Sequence, residues 1–335
     1  MSMRADGTRP LRVDATWMLM IVALTLVIGF RYEVGGDWGN YFRYLFGAEN
    51  LNLSDLAGLE DPGYWALNIV SVQLGLGITG VNTFGAGFLS IGLVLFCKSL
   101  PRPWLALACA MPYLVTVVAM GYTRQSIALG LVMIGLVMLG RGRFLVFCLW
   151  VVAGALFHKT AVVLIPLAGV TASKNRFLTL SLAAVASALG YLTFLADSAD
   201  NLISTYIDTN IVSQGALIRL GMNAVPAAIF LLYRRRFLFS PAEKKLWIIF
   251  SLIAVGMFIA FFPTSLSTAL DRMALYIIPL QLVVFAHLPD VIGVFGRRNQ
   301  TIVALILLYY ATILFVWLNF ASHASYWVPY QMGIG

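Results

Sequence analysis

This sequence is short of charge. Asp, Glu, Lys and Arg together make up 11% of 335 residues, hydrophobic side chains make up 61%, and the mean hydropathy is +0.89. A soluble domain carries about 25% charged residues, so a water-soluble globular enzyme is excluded. Cysteine is sparser still: Cys97, Cys109 and Cys148 fall inside or at the edge of apolar segments, with no Cys-x-x-Cys pair. That rules against a disulfide framework or a structural metal site, and the three read as reduced packing residues. Walker loops, dinucleotide fingerprints and serine elbows are also missing, which removes the common phosphate-loop, Rossmann and hydrolase readings.

What remains is one apolar segment after another. A bilayer-crossing helix needs about 20 predominantly apolar residues, and charged or Pro/Gly-marked breaks predict spans near 15–30, 83–97, 104–121, 124–140, 144–158, 160–173, 177–195, 216–233, 246–263, 273–290 and 300–320. The expected fold is therefore all-α: a polytopic integral membrane protein of about eleven transmembrane helices, with residues 1–335 as a single membrane domain. Spans 144–158 and 160–173 are short for a straight crossing and read as tilted, broken or re-entrant. The basic start with Arg4, Arg9 and Arg12 before an apolar run resembles a signal peptide. Arg31-Tyr32-Glu33 follows without small-x-small cleavage chemistry, so a retained first span is expected.

The longest polar interval begins at Arg31, and it holds Glu33, Asp37, Glu49, Asp55, Glu60 and Asp61, six of the fourteen acidic residues. Residues 31–82 are expected to form an outer loop. Within it, 64–80 carries Asn68, Ser71, Gln73 and several glycines, and reads as an interfacial helix on the outer side rather than a span. With that choice and the N-terminus in the cytoplasm, 16 of the 22 basic residues fall inside, the asymmetry expected of membrane topology. The net charge of +8 then reflects sidedness, and no nucleic-acid partner is implied. Asp197, Asp200, Asp208 and Asp271 join the six acids outside, and the C-terminus lies outside as well.

Six basic residues break this pattern: Arg31, Arg43, Arg124, Lys159, Arg219 and Arg272. A charge near hydrocarbon is costly unless it is paired or faces water, so their gathering predicts a wet, charged pocket opening outward. Arg124-Gln125, Arg219 and Asp271-Arg272 with Tyr276 one turn on each stand at a helix mouth. Guanidinium groups grip phosphate oxygens in a fixed fork; snorkelling to headgroups, or a local ion pair at Asp271-Arg272, is the plain alternative for each. His158-Lys159-Thr160 interrupts an apolar hairpin and offers a proton-transfer or diphosphate-binding imidazole, against a simple interfacial histidine. His287 and His323 read as structural. Near Asp37, the aromatics Trp38, Tyr41, Tyr44, Tyr64 and Trp65 suit either sugar stacking or an interfacial belt.

The order of these residues carries a resemblance. Arg31-Tyr32-x-Val34-Gly35-Gly36-Asp37-x-x-x-Tyr41, Asp61-Pro62-Gly63-Tyr64-x-x-Leu67-Asn68, Tyr122-Thr123-Arg124-Gln125-Ser126, Phe157-His158-Lys159-Thr160 and Asp271-Arg272-x-x-x-Tyr276 together resemble the EpsG family and Wzy-type polysaccharide polymerases. The likeness runs to Tyr326-Trp327-x-x-Tyr330. It departs at two points: the acid before Gly63-Tyr64 is either Glu60 or Asp61, and Lys159 stands where a small hydroxyl residue often follows the histidine.

The resemblance implies a GT-C-like membrane fold in the bacterial cytoplasmic membrane and polymerisation of polyprenyl-diphosphate-linked oligosaccharide repeats on its outer face, without cofactor or metal. Membrane lipids, a chain-length regulator and export proteins are the implied partners. On that footing Arg124, Arg219 and Arg272 would hold the diphosphate, with His158 as a further donor. Asp37, or else Glu60, would take the acceptor proton. Arg31, Tyr41, Tyr64, Asn68, Gln125, Lys159, Asp271 and Tyr276 would contact sugar or support these groups. A lipid-linked glycan ligase uses the same logic, and a membrane acyltransferase stays open on His158. A flippase or transporter would place charge midway through the spans, whereas here it lies at their outer ends.

Overall fold

The structure, a computed structural model, describes residues 12–169, Val185, 215–263 and 267–333. Among these the chain is helical with no β-strand, and five helices are long and apolar enough to cross a membrane: Gly77–Ser99, Thr123–Gly140, Ala216–Tyr233, Ser267–Ile292 and Gln300–Phe320. Ala15–Gly29, Pro103–Ala119 and Phe144–Ala155 are shorter apolar helices. The predicted span 177–195, Val185 apart, and the loop bearing Asp197, Asp200 and Asp208 lie outside the described residues.

The helices are α1 (Ala15–Gly29), α2 (Trp38–Ala48), α3 (Pro62–Gln73), α4 (Gly77–Ser99), α5 (Pro103–Ala110), α6 (Thr123–Gly140), α7 (Phe144–Ala155), α8 (Leu164–Gly169), α9 (Ala216–Tyr233), α10 (Pro241–Ala260), α11 (Ser267–Ala274), α12 (Ile278–Ile292) and α13 (Gln300–Phe320). Several bounds differ from the sequence reading. Residues 64–80 are two elements: α3 stops at Gln73, a turn through Gly75 at φ +68° intervenes, and α4 starts at Gly77, six residues before the predicted 83. The segment 104–121 is α5 running into a π-helical stretch, Met111–Ala119, with Pro112 near its start; a proline removes a backbone donor and loosens the ladder there. The 144–158 span ends at Ala155, and the described part of 160–173, to Gly169, is a 3₁₀ turn at Lys159–Val163 followed by the one-and-a-half-turn α8.

The centre of the bundle is α6, packed between α4 and α7. Small residues let these backbones touch, as van der Waals packing in a bilayer favours. A Cβ placed on Gly92 would lie 2.0 Å from the Gly130 carbonyl oxygen, and one on Gly154 3.1 Å from that of Ala128. A buried polar chain ties the second half together: Tyr310 donates to Gln281 at 2.9 Å, Gln281 to Asn223 at 2.7 Å, and Asn223 to the Ala274 carbonyl at 2.8 Å. The amphipathic α2 and the short α3 pack Tyr41, Leu45 and Tyr64 against Ile78, Val81, Ile127 and Leu131 at one end of α4 and α6.

That packing gives the bundle two chemically distinct ends. On α4, Asn82 sits at one end and Lys98 at the other, about 24 Å away at 1.5 Å per residue. Lys98 lies 3.8 Å from Asp14, and Arg102 pairs with Asp290 at 2.8 Å. These groups, with Arg141, Arg297 and Arg298, belong to one end; Arg31, Asp61, Arg124, Arg219 and Arg272 belong to the other.

Candidate functional site

Gly35 opens the site. Its φ of +109° and the absence of a side chain let the 33–37 loop lie against the Met120 carbonyl, where a Cβ would stand 2.3 Å from the oxygen; only glycine takes that position without strain. The chain's far end fixes the same loop. Gly35 N–H donates to the Tyr326 carbonyl, Tyr32 N–H to that of Gln331 and Gly333 N–H to that of Phe30, each at 2.9 Å, and Trp327 Nε1 donates to the Thr116 carbonyl at 2.8 Å.

Arg31 is buried and donates to three acceptors: the Ile28 carbonyl at 2.7 Å, Asn82 Oδ1 at 2.8 Å and Thr123 Oγ1 at 2.7 Å. It thus joins the end of α1 to α4 and to the first residue of α6. Thr123 N–H donates to the Tyr41 hydroxyl at 2.8 Å, and burial pushes the Tyr41 phenol up to about 12, so it serves as a neutral acceptor. These contacts set the start of α6, and the next residue is Arg124.

Arg124 donates from Nη1 to Asp61 Oδ2 at 2.8 Å, with 3% of the Asp61 side chain exposed and 28% of Arg124's. Its guanidinium also lies 4.9 Å from the Tyr44 ring centre and 6.0 Å from Tyr64's, within cation–π range. Asp61 has φ +53° immediately before Pro62, an uncommon conformation for a non-glycine residue that the surrounding contacts must hold. Its other oxygen accepts from Lys159 N–H at 3.1 Å. His158 Nδ1 stands 3.9 Å from Asp61 Oδ2, beyond hydrogen-bond distance, and neither ring nitrogen is hydrogen-bonded. Burial holds this imidazole below its ordinary value, against the opposing pull of Asp61. Of the two acids left open by the sequence, Asp61 is the buried one; Glu60 is 65% exposed and pairs with Lys159 Nζ at 3.0 Å.

Arg219 grips Asp271 with both Nε and Nη2 at 2.6 Å, and the neighbouring Arg272 is anchored through its carbonyl, which accepts from Gln125 Nε2 at 2.7 Å. Tyr276 meets Thr160 Oγ1 at 3.4 Å. Asn68 spends its amide on the Tyr64 carbonyl of its own helix at 2.8 Å.

A cleft of about 500 Å³ opens among Asp37, Asn40, Tyr41, Arg43, Tyr44, Trp65, Arg124 and Arg272, within the size range of small-molecule sites. Of the residues singled out in the sequence it gathers Asp37, Tyr41, Arg43, Tyr44, Trp65, Arg124 and Arg272. Asp61 and His158 stand behind Arg124, and Arg219 behind Arg272 through Asp271. Asp37 accepts from Asn40 Nδ2 at 3.2 Å, and Arg43 donates to the same Asn40. Asn40 escaped the sequence reading, and Arg43 was named there as an outer basic residue without a role of its own; Asn40 lies three residues from each of Asp37 and Arg43, and that i, i+3 spacing was the available signal. Among the described residues no three His, Cys, Asp or Glu side chains gather as metal ligands.

A model of the EpsG family matches residues 14–332. The chain belongs to the EpsG family. Membership of the EpsG family, with the apolar helices, makes it a membrane protein and suggests a polysaccharide polymerase in the broad sense. No curated protein and no solved structure matches it.

Proposed function

We propose that this EpsG-family protein is a glycosyltransferase that joins polyprenyl-diphosphate-linked oligosaccharide repeats on the outer face of the bacterial cytoplasmic membrane. The whole chain acts as one membrane domain, with the 31–82 region and the cleft outside and the N-terminus inside. The observation that carries this reading is the cleft itself: three arginines, Arg43, Arg124 and Arg272, and one carboxylate, Asp37, share an aromatic-walled opening at the end of the bundle opposite the lysine and arginine surplus. The sidedness rule places that surplus in the cytoplasm.

In this mechanism a hydroxyl of one repeat attacks the anomeric carbon of the chain held on polyprenyl diphosphate, and the bond from that carbon to the diphosphate oxygen breaks. Charge accumulates on the departing diphosphate. Arg124 and Arg272 meet it with donors already in place, the form of stabilisation that contributes most to such reactions. Asp37 accepts the hydroxyl proton. Asp61 fixes Arg124, and Arg219 through Asp271 fixes the turn bearing Arg272. His158 donates to the diphosphate only once substrate reorders the space beside Asp61. Tyr41, Tyr44 and Trp65 offer ring faces to sugar. The arginines neutralise the diphosphate, so the reaction proceeds without metal.

Purified protein in lipid nanodiscs, given its lipid-linked repeat, should build a ladder of longer glycans that survives EDTA. Arg124→Ala and Arg272→Ala should each abolish the ladder, and full activity in both would refute the diphosphate clamp. Transfer to an acceptor that carries no lipid would assign the same cleft to a ligase.

A further inference from the structure

The opposite end of the bundle carries a second built site. Between α12 and α13 the chain from Gly293 to Asn299 is folded back on itself: Asn299 Nδ2 donates to the Pro289 and Val294 carbonyls at 2.7 and 2.8 Å, its Oδ1 accepts from Val294 N–H at 3.1 Å, and Gly296 N–H donates to Asp290 Oδ1 at 3.2 Å. Arg102, from the α4–α5 connection, then reaches across. It donates to Asp290 Oδ1 at 2.8 Å and to the carbonyls of Arg297 and Arg298 at 2.6 and 3.1 Å. The loop is therefore held by side chains from two separate parts of the fold, and its arginines are presented on a fixed backbone.

A cavity of about 460 Å³ opens there, walled by Arg102, Arg236, Arg297 and Arg298. Asp290 is the one carboxylate among the described residues lining it, and Arg102 already holds that group. The excess of positive charge is thus built in. The rim is apolar and open: Leu238 is 77% exposed and Phe295 71% exposed. Topology alone accounts for arginines at this end of a membrane protein; it accounts neither for their convergence on one cavity nor for large apolar side chains beside them facing out. A ligand with an anionic phosphate above and hydrocarbon below satisfies both halves.

We propose that this cavity binds the headgroup of an anionic glycerophospholipid, with the phosphate among Arg236, Arg297 and Arg298 and the acyl chains against Leu238 and Phe295. The site is remote from the Asp37 cleft and does not depend on the reaction assigned to it.

The test uses full-length protein, delipidated in a neutral detergent and titrated with fluorescent phosphatidylglycerol or phosphatidylcholine. The wild type should bind phosphatidylglycerol at least tenfold more tightly than phosphatidylcholine, and the triple variant Arg236→Gln/Arg297→Gln/Arg298→Gln should lose about tenfold or more of that affinity. A charge-matched control, Arg143→Gln/Lys244→Gln/Lys245→Gln, should bind as the wild type does. Thermal unfolding within a few degrees of the wild type shows that the variants fold; should the triple variant fail this, the single changes Arg297→Gln and Arg298→Gln are titrated in its place. Undiminished binding by the triple variant would overturn the proposal, as would equal loss in the control. Competition by inorganic phosphate at the same concentration as the lipid would reassign the cavity to free phosphate and also overturn it.

Discussion

The Arg124–Asp61 pair is open to a direct energetic test. A fully buried pair loses about 3–5 kcal/mol when one partner is removed, and an exposed pair yields under about 1 kcal/mol. Here Asp61 is buried while Arg124 keeps 28% of its side chain accessible, so each single change, Asp61→Asn or Arg124→Gln, should cost about 2–3 kcal/mol. The double variant should cost less than the sum by about 2 kcal/mol, the coupling expected of contacting charged groups. The measurement is equilibrium unfolding in mixed micelles with increasing denaturing detergent, on all four proteins at neutral pH. Arg124→Lys adds a second readout: lysine retains the charge and loses the planar fork that reaches Asp61 while lying over Tyr44, so it should recover part of the stability and little of the glycan ladder. A coupling below about 0.5 kcal/mol would refute the reasoning, because Asp61 would then not be what holds Arg124 at the cleft wall.

His158 makes stability pH-dependent. Its folded value lies below the ordinary 6.5, so on acidification the unfolded chain takes up the proton first and unfolding becomes easier as pH falls below about 6.5. Melting curves between pH 7.5 and 5 should show that slope in the wild type and a smaller one in His158→Gln. Arg31→Met leaves the acceptors at Ile28, Asn82 and Thr123 unserved and should cost about 3 kcal/mol or more in the micelle assay. Gly92→Ala drives a methyl into the Gly130 carbonyl and should cost about 1–3 kcal/mol, whereas Gly87→Ala, with nothing within 4 Å, should be neutral or stabilising by up to about 1 kcal/mol.

Where an apolar run is bounded by charged residues, the sequence was sufficient: 216–233 and 300–320 coincide with α9 and α13 because Arg234 ends the first and Arg297-Arg298 precede the second. The first hundred residues were harder. α2 and α3 are too short to announce themselves by hydropathy, and α3 and α4 are separated by a glycine turn whose geometry, not composition, ends one helix and begins the next. The arginines were legible as offenders against sidedness, and two of the three line one cleft. Their partners were not legible, since Asp61 and Glu60 are adjacent and chemically alike in one dimension. What separates them is the left-handed turn ahead of Pro62, which buries one carboxylate and exposes the other. Likewise Arg219 reads like Arg272 as a string of letters, and only the folded α11 shows it clamped on Asp271.

The backbone bonds between residues 326–333 and 30–35 bear on the timing of biosynthesis. A ribosome releases residues 30–35 roughly 300 residues before residues 326–333, so through nearly the whole of translation the floor beneath Gly35 lacks its partner. A nascent chain still being threaded into the bilayer therefore lacks the contacts that hold the Gly35 loop against the cleft. Competence arrives late and all at once, and a short deletion at the carboxyl end should silence a protein whose membrane helices are otherwise intact.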